Sequence, residues 1–208
     1  MKIDEAYDYW ARFYDSNKNK TRDLEKEVGQ ELLAPFSFSS VLELGCGTGK
    51  NTTWLLEKCE KLVGVDFSPE MLQAAREKIK SAKVEFYQAD LTKPWQFLNE
   101  KFDLVTCSLV LEHIENLSDI FSQVQSALQP MGKFYICELH PFKQYTGTKA
   151  RFKKENSTFE LETFNHHISD FMAAAHSNNL KFYGMHEWFD SEDKAELPRL
   201  ISFIFEKE

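Results

Sequence analysis

The sequence predicts an α/β domain, a parallel sheet with helices packed on both faces. Three observations carry this. From residue 40 to residue 139, short apolar runs alternate with amphipathic stretches of helix length, the pattern of repeated βαβ units. The first run empties into glycines at alternate positions, Gly45, Gly47 and Gly49, which let a chain turn sharply from strand to helix. The last two apolar runs, 181–188 and 200–205, are separated by only a short loop. They read as an antiparallel hairpin closing one sheet edge.

The elements follow in order. Residues 4–15 are amphipathic and unusually aromatic, with Tyr7, Tyr9, Trp10, Phe13 and Tyr14, and predict a short helix. Residues 23–33 set Leu24, Val28, Leu32 and Leu33 at helical spacing, and Pro35 with its serines stops that helix. A strand over 40–44 leads through the glycines to a helix over 51–58. The strand 61–65 ends at Asp66. Ser68 caps a helix over 69–80, with Pro69 in its first turn and Glu70 near its positive end. Strands are expected at 83–87 and 102–108, a helix at 117–128, a turn at Pro130-Met131-Gly132, and a fifth strand at 133–139. Residues 142–165 show no clear period before a helix at 169–177. An insertion placed there often carries function.

A chain of 208 residues with 42% apolar and 28% charged residues fits one soluble domain. The net charge of −8 argues against nucleic acid, whose phosphates need basic surfaces; the basic stretch 149–154 reads as a solvated face. Cys46, Cys59, Cys107 and Cys137 form no CxxC pair, so neither zinc nor a redox motif is indicated, and no metal is expected. Cys107 and Cys137 read as buried thiols. Residues 1–10 lack the basic-then-apolar order of a signal peptide, and no apolar run approaches the roughly 20 residues of a membrane span. The expectation is a cytoplasmic protein without membrane association.

Chemistry concentrates around Glu43-Leu44-Gly45-Cys46-Gly47-Thr48-Gly49. A phosphate loop would need Ser or Thr after Gly49-Lys50, where Asn51 stands, and an earlier glycine where Leu44 stands. A dinucleotide fingerprint would place its third glycine where Lys50 is. Glu43 would repel a pyrophosphate and favour a cationic ligand, such as the ammonium and sulfonium of S-adenosylmethionine. Asp66, ending the next strand, suits two ribose hydroxyls. Phe67 and Met71 can pack on adenine or serve as core. Asp90 can accept from an adenine amino group or shape a turn. Ser108 and His113 lie beyond the fourth strand, at the cleft mouth; His113 is a base, a cofactor contact or a structural donor.

Taken together, the 43–49 run, Asp66-Phe67-Ser68-Pro69-Glu70-Met71-Leu72, Gln88-Ala89-Asp90, Phe102-Asp103-Leu104-Val105, Leu111-Glu112-His113-Ile114 and Leu128-x-Pro130-x-Gly132 resemble class I S-adenosylmethionine-dependent methyltransferases of the small-molecule, type 11-like kind. The resemblance is close over residues 40–139 and looser beyond. It implies a Rossmann-like three-layer sandwich with a seven-stranded, mostly parallel sheet and an antiparallel last strand. It implies S-adenosyl-L-methionine as cofactor, with Glu43, Gly45, Cys46, Gly47 and Gly49 at the methionine portion, Asp66 at the ribose, and Phe67, Met71, Asp90 and Leu91 around adenine. Tyr14, Ser108 and His113 join the cofactor set. Residues 1–35 resemble the family's aromatic lid, placing Tyr7 and Trp10 toward the acceptor. No Asn/Asp-Pro-Pro-Tyr run follows the fourth strand, which turns the expectation away from nucleobase and glutamine nitrogens.

The candidate bases are His140, at the end of the fifth strand, and His166 and His167, at the start of the last helix. Phe142, Tyr145 and Phe164, in the 142–165 insertion, are the candidate acceptor pocket. The expected partner is a small-molecule acceptor; whether oxygen, nitrogen or carbon is methylated, and the oligomeric state, stay open. Two alternatives remain: a non-catalytic module that binds the same cofactor, and a NAD-dependent oxidoreductase.

Overall fold

A computed structural model describes residues 3–147, 151–154, 157–191 and 196–208. Seven strands form one sheet: β1 (Ser40–Leu44), β2 (Lys61–Asp66), β3 (Val84–Gln88), β4 (Phe102–Ser108), β5 (Leu128–Leu139), β8 (Leu180–Trp188) and β9 (Leu200–Lys207). Their order is β3-β2-β1-β4-β5-β9-β8. Strands β3 to β5 pair in parallel, while β9 runs antiparallel to both its neighbours. The hairpin expected to close the edge thus inserts its second arm, β9, beside β5 and leaves β8 outermost. The composition explains this. Nearly all of β9 is buried, whereas β8 exposes Phe182, Tyr183 and Met185, so β9 suits an interior position and β8 an edge.

The helices are α1 (Ile3–Tyr14), α2 (Lys20–Leu33), α3 (Lys50–Leu55), α4 (Pro69–Lys78), α5 (Leu117–Ala127), α6 (Pro141–Tyr145) and α7 (Ile168–Ser177), with a 3-10 turn at Leu111–His113. One core layer packs α5 and α7 on the sheet through Phe121, Val124, Phe134, Phe171, Phe203 and Phe205. The other packs Val28, Leu33, Trp54, Tyr135 and Ile204. Side chains buried on both faces explain why the central strands read as continuous apolar runs rather than alternations. Ser68 caps α4, its Oγ accepting from the Met71 N–H at 3.1 Å.

Two boundaries differ from the sequence reading. The Pro130–Gly132 turn lies inside β5, which begins at Leu128; the register shifts there and Met131 takes φ +64°. The insertion is not structureless: it holds α6 and a two-stranded hairpin, β6 (Arg151–Lys154) with β7 (Ser157–Glu160). Lys149 and Ala150 of the basic stretch lie outside the described residues. No helix among the described residues is long and apolar enough to cross a membrane.

Parallel pairing brings the carboxyl ends of β1, β2 and β4 to one rim. Ligands in open α/β sheets bind in the crevice outside that rim.

Candidate functional site

Two cavities adjoin at the rim. The larger, about 750 Å³, is a cleft with Asp66, Phe67, Met71, Asp90 and Leu91 along one side. Val110, His113, Ile114, Leu161 and Phe164 form the other side, and Tyr7 and Tyr14 of α1 close over it. The smaller, about 50 Å³, lies beneath the glycine loop and contains Arg22, Glu25, Glu43, Cys46 and Asn51. Tyr14, Gly45, Gly47, Ser108 and Leu109 border both.

The glycine loop is shaped by left-handed backbone, with φ of +69° at Gly45 and +53° at Gly47. A Cβ on Gly45 would sit 2.2 Å from Val110 Cγ2, so the loop presses directly on the segment after β4. A Cβ on Gly47 would meet nothing within 4 Å, which leaves its backbone open to a ligand. Gly49 borders neither cavity. It precedes α3 at φ +76°, and a Cβ there would meet Ile79 Cδ1 at 2.6 Å, so its role in the structure is helix entry and close packing.

Asp66 is buried at the end of β2. Its Oδ2 accepts from the Gly47 N–H at 2.8 Å and its Oδ1 from the Ser68 N–H at 2.9 Å. Burial raises its carboxyl to about 6, with Asp8 adding to the rise. Glu43 is buried as well, accepting from Thr52 Oγ1 at 2.5 Å. Burial lifts it to about 8, and the charges of Glu25 and Asp66 push the same way. Asp90 accepts from the Thr92 N–H at 2.9 Å and from its hydroxyl at 2.6 Å, a turn that also borders the cleft.

Sequence reasoning missed the polar wall of the small cavity. Arg22 is 7% exposed. Its Nη1 donates to the Tyr14 carbonyl at 2.8 Å and its Nη2 to the Asn17 carbonyl at 2.9 Å, while the guanidinium lies 3.9 Å from the Tyr14 ring centre. Its buried Nε has no partner. Glu25, raised by burial, accepts from Asn51 Nδ2 at 2.9 and 3.1 Å. The signal was available: Arg22 and Glu25 share the buried face of α2 with Val28, Gly29 and Leu33, and charges on a core-facing stripe need partners.

On the opposite wall, Tyr7 and His113 meet. The Nδ1 of His113 faces the Glu162 carbonyl at 3.2 Å, and a carbonyl only accepts, so Nδ1 carries the proton. Nε2 then accepts from the Tyr7 hydroxyl at 2.9 Å. Burial lowers His113 below its ordinary value and raises Tyr7 well above its own; both are neutral, with a basic nitrogen one hydroxyl away from the cleft. Helix α1 is fastened over the site by Asp8, which accepts from Ser68 Oγ at 2.5 Å. Asp15 accepts from Thr48 Oγ1 at 2.6 Å and from Lys78 Nζ at 2.7 Å. Trp10 borders neither cavity; its ring packs between Tyr7 and Tyr14, with centroids 5.8 and 5.1 Å away.

The three histidines expected as bases stand elsewhere. His140 is fully buried; its Nδ1 accepts from the Phe142 N–H at 3.1 Å, so Nε2 is the protonated nitrogen and donates to Glu187 at 2.9 Å. With both nitrogens engaged, it caps α6 and ties β5 to β8. The Nε2 of His166 faces the carbonyls of Leu111 and Ile114 at 3.1 and 2.8 Å, fastening the 3-10 turn. His167, exposed, starts α7 and meets the Tyr145 hydroxyl at 2.5 Å. None of the three borders either of these two cavities. Phe142 and Tyr145 are 44% and 49% exposed and stand outside the cleft; of the three insertion aromatics expected at the acceptor pocket, Phe164 alone lines it.

Residues 42–136 match the family model of the methyltransferase domain. Among curated relatives, the chain is 35% identical over 100 residues to a demethylmenaquinone methyltransferase of Leptospira interrogans, covering 45% of this chain and 40% of that one. It is 27% identical over 139 residues to an uncharacterized protein of Haemophilus influenzae, covering 64% and 55%. The chain thus spans about half the length of the curated relatives it matches. Among solved structures, the fold is similar to the N-methyltransferase NodS of Bradyrhizobium japonicum in complex with S-adenosyl-L-homocysteine (TM-score 0.73, 16% identity, 100% and 99% coverage). It is also similar to a S-adenosylmethionine-dependent methyltransferase of Clostridium acetobutylicum (TM-score 0.72, 18% identity, 96% of both chains).

Proposed function

We propose, from the match of residues 42–136 to the methyltransferase domain, that the chain is a class I S-adenosylmethionine-dependent methyltransferase and that it methylates a small, neutral or cationic acceptor held between Tyr7, His113 and Phe164. The observation that carries this reading is the unpartnered Arg22 Nε, buried in a cavity that also holds Glu25 and Glu43. A cation beside two carboxylates complements the carboxylate and ammonium of an amino-acid group, whereas a diphosphate would meet two like charges.

S-adenosylmethionine fits the residues present. Arg22 and Glu43 would hold its amino-acid end beneath the glycine loop, Asp66 its ribose, and Phe67, Met71 and Leu91 its adenine. When bound, it would supply an electrophilic methyl group on a sulfonium, open to an acceptor's lone pair, with the carbon–sulfur electron pair left on sulfur. The leaving group is already activated, so the protein's share is orientation and exclusion of water. Tyr7 and Tyr14 cover the cleft with Trp10 packed between them, and Asp8 and Asp15 fasten that cover. The proton of the acceptor has a path: Tyr7 oxygen takes it as the Tyr7 proton passes to His113 Nε2.

The charge of the acceptor follows from the lining. The ionisable side chains described along the large cleft include Asp66, Asp90 and Glu162 and neither Lys nor Arg, so an anionic acceptor would enter a field of its own sign. Incubation with methyl-tritiated S-adenosylmethionine and a panel of amines, alcohols, carboxylates and phosphate esters tests this. Label is expected in an amine or alcohol. Label confined to carboxylates or phosphate esters, or to protein or RNA, contradicts the reading.

A further inference from the structure

Two buried glutamates near the His113 turn take no part in the mechanism so far. Glu138, the penultimate residue of β5, is 3% exposed. Its Oε1 accepts from the backbone N–H of Val110 at 3.0 Å and of Leu111 at 2.9 Å. Those residues open the 3-10 turn that carries His113, and Val110 is the side chain pressed against Gly45. Glu112 is 9% exposed, and its Oε1 lies 4.0 Å from His113 Nε2, the nitrogen that accepts from Tyr7. The remaining oxygen of each, Glu112 Oε2 and Glu138 Oε2, is buried without a partner.

An unpaired buried carboxylate oxygen is costly. It persists where something is gained, and here the gain lies at His113. We infer that Glu138 is a positioning residue that holds the His113 turn against Tyr7, and that Glu112 is the counter-charge for the imidazolium formed when the acceptor's proton arrives. The inference rests on the relay proposed above. In that transfer the acceptor's bond to hydrogen breaks, the Tyr7 O–H is broken and remade, and a new N–H forms on His113. The imidazolium then faces Tyr7 from α1, Glu112 from its own turn and the Glu162 carbonyl from the insertion. Glu112 is the one carboxylate among these. Burial raises Glu112 to about 7, against a hydrogen bond with Gln144 that favours its charged form, and burial raises Glu138 to about 8, with the charge of Glu112 pushing the same way.

The test reads His113 directly, without an acceptor. Its imidazole is titrated by carbon–proton correlation NMR in the intact chain and in Glu112→Gln, Glu138→Gln and Glu138→Ala. Glu112→Gln is expected to lower the His113 midpoint by about one unit, a tenfold loss of proton affinity. Glu138→Ala is expected to release the turn, moving the midpoint up toward the ordinary value of ~6.5 and abolishing the Tyr7–His113 cross-relaxation. Glu138→Gln, whose amide oxygen still accepts both N–H groups, is expected to restore that contact. An unchanged midpoint in Glu112→Gln overturns the counter-charge role, and that variant decides alone if Glu138→Ala does not fold. An unchanged Tyr7–His113 contact in a folded Glu138→Ala overturns the positioning role. S-adenosylhomocysteine affinity is measured alongside. Its loss in the glutamate variants alone would make them cofactor residues and also overturn the inference, whereas no affinity in the unaltered chain would sink the methyltransferase reading instead.

Discussion

The two walls of the cleft are built differently. The cofactor wall comes from loops directly after β1 and β2, and its bonds are local in sequence. Gly47 and Asp66 are 19 positions apart, and Asp66 and Ser68 only 2. The proposed acceptor wall is assembled from afar: Tyr7 and His113 are separated by 106 positions, His113 and Glu162 by 49. A short motif fixes the first wall almost by itself, while the second depends on α1, the turn after β4 and the insertion arriving together. Substitutions on the first wall should therefore abolish binding outright, and those on the second should act on the fate of the proton.

The largest effect is expected at Gly45. Alanine there adds a Cβ 2.2 Å from Val110 Cγ2 at φ +69°, a strained residue at a point where the walls touch. Gly45→Ala should cost about 2 kcal/mol or more of stability and about 100-fold or more in S-adenosylhomocysteine affinity, read by denaturant melts and calorimetry. Wild-type values for both would break the contrast.

A smaller effect, and a sharper one, is expected at Arg22. Arg22→Met should weaken S-adenosylhomocysteine by roughly 10- to 100-fold, the value of a charge-assisted hydrogen bond. Methylthioadenosine, which has no amino-acid group, should bind as before. Equal losses for the two ligands would mean that Arg22 acts through α1 and not through the small cavity.

The smallest effect is on pH dependence. Asp66 at about 6 and Glu43 at about 8 are both raised in the folded chain. Each must shed a proton to accept from ribose hydroxyls or to meet an ammonium. Affinity for S-adenosylhomocysteine should therefore climb from pH 5 to pH 8, while these two groups make the unliganded protein less stable over the same range. A flat or falling affinity would mean that neither carboxylate meets the ligand in its charged form.

The same contrast explains what the sequence made legible. Glu43 and Asp66 lie in the last residues of β1 and β2 and Asp90 follows β3, and strand ends are readable from apolar runs. Their places at the cavities could be anticipated, as could those of Met71 and Leu91. Gly49 belonged to the same run of glycines, yet the helix it starts and its packing on Ile79 account for it. His140 shows where strand-end reasoning stops. The position was read correctly as the end of β5, but the direction of its side chain was set by Phe142 and by Glu187 on a strand 47 residues away. The β8–β9 exchange has the same origin, because which arm of a hairpin lies inside depends on the burial that the rest of the sheet offers. Arg22 and Glu25 left a trace, charges on an apolar helical stripe, that only a partner across the cavity turns into a site.

The most direct test is calorimetric titration of the intact chain with S-adenosylhomocysteine and, separately, with NAD. Binding of the first in the micromolar range, with no heat from the second, is the result expected of Arg22, Glu43 and Asp66 converging on an adenosyl amino acid. Tight binding of NAD with no heat from S-adenosylhomocysteine would contradict it.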